Sequence, residues 1–94
     1  MLITDVRILK TFPDGPLRGV ANVTFDNEFV VHNIKVIYAN DRYFLSMPNR
    51  KLPDGRHRDT AHPINNDFRT KMENAIMPKY KQALEESGGV DTSL

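Results

Sequence analysis

The apolar residues of this chain keep two different rhythms, one after the other. Up to Met47 they alternate with polar residues in short runs. From Phe68 to Leu84 they return every fourth residue, as Phe68, Met72, Ile76, Tyr80 and Leu84. Alternation puts successive side chains on opposite faces of a strand, whereas a repeat near 3.6 residues lines one face of a helix. Strands first and one helix last predict an α+β fold. It consists of a small antiparallel sheet of about four strands followed by a C-terminal helix.

The runs can be placed individually. In residues 2–10, Leu2, Thr4, Val6 and Ile8 share one face and Ile3, Asp5, Arg7 and Leu9 the other. In residues 17–25, Leu17, Gly19, Ala21, Val23 and Phe25 share a face. The Pro13-Asp14-Gly15 turn between these runs makes them antiparallel hairpin partners. Residues 28–38 carry Val, Ile, Phe and Tyr on both faces, which predicts a central strand covered on both sides by a helix or a second subunit. Asp26-Asn27 and Asn40-Asp41 are turn pairs, and Tyr43 to Met47 returns as a fourth strand closed by Pro48.

Residues 48–65 hold three prolines and a second Pro-Asp-Gly, and read as an ordered or semi-ordered loop of a length that is commonly functional or mobile. Pro63 and then Asn65 or Asn66 start the helix, with Asp67 in its first turn. Pro78 should kink or divide it, and Ser87-Gly88-Gly89 should stop it. The expected organisation is a single domain over 1–86 and a flexible acidic tail over 87–94. A core of this size is marginal, and a four-stranded sheet under one helix leaves apolar surface exposed, so a homodimer is expected.

Composition excludes several classes. The 94 residues contain no Cys, which removes disulfides, thiolate zinc sites and Cys nucleophiles. No run approaches the ~20 apolar residues of a membrane helix, and the N-terminus lacks the pattern of a signal peptide. His57-Arg58-Asp59 has the letters of a kinase catalytic loop, but the chain is too short for a kinase and has no Gly-rich loop. His57, His62 and Asp59 do not follow a metal-ligand spacing. Ser46 and Ser87 have no adjacent base, and His32, mid-strand, reads as a packed or hydrogen-bonded side chain. No catalytic residue, metal, cofactor or small-molecule substrate is expected.

Charge is informative in its distribution. The net charge is +1, yet residues 42–81 carry nine Lys or Arg against four Asp or Glu, and residues 82–94 are acidic. Arg50, Lys51, Arg56 and Arg58 crowd the loop, and Arg69 and Lys71 follow in the helix. Arg pairs with phosphate or guanine edges and Lys supplies a point charge, so these six are the candidate nucleic-acid contacts.

The sequence blocks also resemble a known family. Thr4-Asp5-Val6-Arg7, the run from Phe25 to Ile37 containing Glu28-Phe29-Val30-Val31-His32, Met47-Pro48, Pro53-Asp54-Gly55, Arg58-Asp59 and Ala61-His62-Pro63-Ile64-Asn65 occur in order. Together they resemble the bacterial stage V sporulation protein G (SpoVG) family of septation proteins, over about residues 2–80. The resemblance implies a small dimeric cytoplasmic regulator. Such a regulator binds DNA and, in some members, RNA, and affects septation, sporulation or gene expression. It also implies that Arg50 and Lys51 occupy the family's basic pair after Met-Pro, and that Arg58 and Arg69 fall on basic positions. Arg56 and His57 stand where the family commonly has an acidic and an aromatic residue, and Pro78 and the segment after Ser87 also depart from it. Ala61-His62-Pro63-Ile64-Asn65 either shapes the start of the helix or contacts nucleic acid through His62. The competing function is a protein-interaction module of the division or envelope machinery that does not bind nucleic acid directly.

Overall fold

Left-handed backbone at four non-glycine residues shapes two of the hairpins. Asp26 and Asn27 have φ of 53° and 55°, and Asn40 and Asp41 have 53° and 63°. Asn and Asp tolerate this region, and two positive φ angles in succession match the twist of the flanking strands. These turns join β2 (Leu17–Phe25) to β3 (Phe29–Ala39) and β3 to β4 (Arg42–Ser46). The Pro13-Asp14-Gly15 segment, with Gly15 at φ 83°, joins β1 (Ile3–Thr11) to β2. The result is an antiparallel sheet in the order β1-β2-β3-β4. The computed structural model describes the backbone of residues 1–92 and the side chains of residues 1–86.

One face of this sheet is the core. Ala21, Val23, Phe25, Ile34, Val36, Leu45 and Met47 are buried together with Met72, Ile76 and Tyr80 of the helix α1 (Asn66–Thr92). Phe68 and Leu84, at the ends of the fourfold stripe, pack half-buried against the same cluster. Gly19 lies against the Tyr80 ring of the helix. A Cβ there would stand 3.0 Å from the Tyr80 ring, so the missing side chain makes room for the tyrosine. The Tyr80 hydroxyl is buried and, among the described residues, makes no hydrogen bond. Burial first, and then the neighbouring Tyr43 hydroxyl, push its pKa up from 10.0 to about 12, against a smaller opposing effect of Arg18. The Arg18 guanidinium itself lies over the Tyr38 ring, 4.8 Å from its centre.

Four details differ from the sequence expectations. In β1 a register shift between Ile3 and Asp5 brings Ile3 to the core beside Val6 and Ile8 and leaves Leu2 exposed. An extra residue reverses the face of everything beyond it, which strict alternation cannot anticipate. In β3 the ladder shifts between Ala21 and Val23, with Asn33 at φ 63° and its N–H donated to the Asn22 side chain at 3.3 Å. His32 sits in this irregularity, exposed rather than packed and, among the described residues, without a side-chain hydrogen bond. The helix covers one face of β3, and Val30 and Phe44 stand exposed on the other, where the expected second cover, a second subunit, is not tested by a single chain. Pro78 does not divide the helix, because it and Asn74, whose carbonyl loses its partner, both face solvent. The helix also runs past Ser87-Gly88-Gly89 to Thr92. The expected flexible acidic tail falls on residues whose side chains lie outside the described ones.

Candidate nucleic-acid interface

The segment after Met47 is a second, separate hairpin rather than a loop. β5 (Asn49–Lys51) pairs antiparallel with β6 (His57–Asp59). Pro53 sets φ at the second position of the turn, and the Gly55 N–H closes it onto the Leu52 carbonyl at 2.9 Å. Gly55 then takes φ 91°, and the Leu52 N–H reaches the Arg56 carbonyl at 2.7 Å. A tight turn followed by a left-handed glycine is the usual three-residue hairpin loop. The signal was therefore present in Pro53-Asp54-Gly55, and the prolines around it masked it. Thr60 N–H to the Pro48 carbonyl, 2.7 Å, fixes the base of the hairpin where it leaves the main sheet.

Register decides how the basic residues are presented. Arg50 faces Arg58 directly, Lys51 faces His57, and Asn49 faces Asp59. Cross-strand partners share a face, with Cβ atoms about 5 Å apart. Arg50 and Arg58 therefore stand together on one side. Lys51, His57, Asn49 and Asp59 occupy the other, where His57 Nδ1 lies 3.1 Å from Asn49 Oδ1. All of these except Asn49 are exposed. Arg56 is committed differently: its Nε is 2.8 Å from Asp54 Oδ2, the only ion pair among the described residues. Asp54 Oδ1 also accepts the Arg56 backbone N–H at 3.0 Å.

The two helical candidates belong to another element. Arg69 is half-buried and Lys71 exposed in the first turns of α1, with no ion pair or hydrogen bond to the hairpin. Asn65 caps this helix, its Oδ1 accepting the Phe68 N–H at 2.7 Å, and so already uses one of the free amides at its N-terminus. Of the six basic candidates, the fold thus brings Arg50 and Arg58 side by side and turns Lys51 away. It neutralises Arg56 and places Arg69 and Lys71 apart.

The sequence reading did not single out an apolar cavity of about 420 Å³ at the foot of the hairpin. Its wall includes Phe25, Phe29, Phe68, Met47, Met72 and His62. Phe29 is 63% exposed and Ile64, on the rim, 89%. Exposed Phe29 and Ile64 were the available signal, but they were read as strand and helix-start residues.

Comparison with known proteins places the chain in a family. The family model described as SpoVG matches residues 1–82. The chain belongs to the SpoVG family. It is 51% identical over 86 residues to the "Putative septation protein SpoVG" of Thermoanaerobacter sp. (strain X514), covering 92% of this chain and 94% of that one. The protein of the same name from Clostridium beijerinckii is 52% identical over 86 residues, with the same coverage of both. The one from Acetivibrio thermocellus is 56% identical over 81 residues, 86% of each chain. The match spans the sheet, the basic hairpin and most of α1. The family resemblance read from the sequence blocks is therefore correct. Among the described residues no helix is long and apolar enough to cross a membrane.

Proposed function

We propose that this chain is a homodimeric, cytoplasmic nucleic-acid-binding regulator, acting on DNA or RNA in septation, sporulation or gene expression without chemistry of its own. The observation that carries the reading is the Arg50–Arg58 pair. Like charges directly opposite each other on a two-stranded ribbon destabilise it, and neither arginine has an anionic partner within the described residues. A phosphate between the two guanidiniums would relieve that repulsion and take two bidentate contacts. Lys51 and Lys71 would add longer-range attraction. The relatives' names, which refer to septation, support the cellular context. The uncovered sheet face with Val30 and Phe44 supports a second copy of the chain as its cover.

Fluorescence anisotropy with labelled duplex DNA and single-stranded RNA, at low and physiological salt, tests this. Binding should weaken steeply with salt, by roughly one logarithmic unit per phosphate contact for each tenfold rise. Arg50→Ala with Lys51→Ala should lower affinity by about 1–3 kcal/mol and flatten the salt dependence, while sedimentation still shows a dimer. Absence of binding to both polymers at low salt would overturn the proposal in favour of a protein-interaction module.

A further inference from the structure

The apolar cavity and the arginine pair are adjacent, and nucleic acid binding by the arginines alone gives the cavity no task. Both strands of the hairpin run into its wall. Met47 lines the cavity three residues before Arg50, and Ala61 lines it three residues after Arg58. At about 3.3 Å per residue each arginine is rooted ~10 Å along the chain from that wall. This is within the reach of a base and the phosphates that flank it.

The lining suits a flat aromatic guest. Three phenylalanines, Phe25, Phe29 and Phe68, contribute ring surface, and Phe25 and Phe68 already lean together with centres 5.8 Å apart. His62 adds an exposed, hydrogen-bonding edge at the mouth. The volume falls within the range of pockets that enclose small organic groups. Phe29, although apolar, is 63% exposed in the isolated chain. In a duplex, bases are stacked and paired and cannot enter such a cavity. In a single strand they are free to turn out and stack on aromatic side chains.

We infer that this cavity receives an unstacked base of a single-stranded nucleic acid whose flanking phosphates lie on Arg50 and Arg58. The inference rests on the nucleic-acid reading above and narrows its ligand to single strands. The hairpin supplies the charge that holds the backbone, and the cavity supplies the stacking energy that separates single strand from duplex. Charge favours this occupant over an apolar peptide, since arginines at both strands beside an apolar guest call for an anionic backbone.

The methionines provide a built-in readout. Met47 and Met72 line the cavity, whereas Met77 packs on the core away from it. The full chain, labelled on its methionine methyls, is titrated with an unstructured strand of about ten nucleotides, as DNA and as RNA, and with a duplex of the same sequence. Expected are shifts at Met47 and Met72, not at Met77, with either single strand, and no shift at those two methyls with duplex. Phe29→Ala should weaken single-strand binding roughly tenfold or more, leave the salt slope unchanged and leave duplex affinity alone. Because Phe29 is largely exposed, the variant should fold, and an unchanged Met77 resonance checks this. Salt-dependent binding that Arg50→Ala abolishes, with Met47 and Met72 unmoved, would overturn the cavity inference and leave the basic-hairpin reading standing. Binding of neither polymer would overturn both. Met47 and Met72 shifts that follow protein dilution alone, without nucleic acid, would assign the cavity to a second copy of the chain.

Discussion

Two hairpins in this protein turn on the same three residues. Pro13-Asp14-Gly15 connects β1 to β2, and Pro53-Asp54-Gly55 connects β5 to β6. Both glycines take a left-handed φ, 83° and 91°, and a Cβ at either would meet nothing within 4 Å. What differs is the cargo. The first turn brings Val6 opposite Val23 and Ile8 opposite Ala21, on the core face of the sheet. The second brings Arg50 opposite Arg58 and Lys51 opposite His57, all in solvent. Turn chemistry therefore makes the hairpin, and strand composition decides whether it stores folding energy or displays charge. Stability and ligand binding should accordingly be separable by mutation.

The largest effect belongs to the core. Ile76 is fully buried between the helix and the sheet. Ile76→Ala removes its contacts and leaves a cavity, a change that costs about 2–5 kcal/mol. Against a total stability on the order of 5–15 kcal/mol this is severe, and urea denaturation will show it as a lower midpoint. At a temperature where the variant remains folded its nucleic-acid affinity should equal that of the wild type. A weakened affinity in the folded variant would show that the two regions are coupled.

Next in size is an alkaline instability centred on Tyr80. Its folded pKa of about 12 exceeds the ordinary 10.0 because burial disfavours the phenolate. The folded state thus holds this proton where the unfolded state releases it. Stability is unaffected below about pH 10, falls as pH rises from there, and levels off near pH 12, losing on the order of 2–3 kcal/mol. Tyr80→Phe should remove that part of the decline seen in denaturation series between about pH 9 and 12. At neutral pH it should cost little, because the hydroxyl it deletes has no hydrogen-bond partner among the described residues. An alkaline decline of the same size in Tyr80→Phe would assign it to other groups.

The same division explains what the sequence disclosed. The four strand segments, the Asp26-Asn27 and Asn40-Asp41 turns, the helix stripe and a helix start at Asn65 or Asn66 are local features, each written in a few adjacent residues, and all were legible, whereas the order of the strands in the sheet was not. The shift that brings Ile3 to the core and the irregularity at His32-Asn33 depend on which residue of the neighbouring strand lies opposite. No local pattern contains that. The candidate site shows the contrast within a few residues. Clustering of Arg50, Lys51, Arg56 and Arg58 was visible, but their division into a paired, a reversed and a neutralised set required the register of a hairpin only three residues wide. The cavity was hidden for the same reason, since its walls come from β2, β3, the hairpin's two roots and α1.

The smallest effect on stability should come from the hairpin, and it sharpens the comparison most. Arg58→Thr replaces one of two facing cations with a β-branched residue suited to a strand. It removes a like-charge contact and no hydrogen bond or ion pair seen among the described residues. The urea midpoint should therefore stay within about 0.5 kcal/mol of wild type, and any change should be toward greater stability. Nucleic-acid affinity should nevertheless fall, with the salt slope reduced by about one. Loss of stability comparable to the core variant would mean that Arg58 holds the hairpin rather than a ligand. Unchanged stability with lost affinity is the signature of a residue kept for binding at a small cost to the fold.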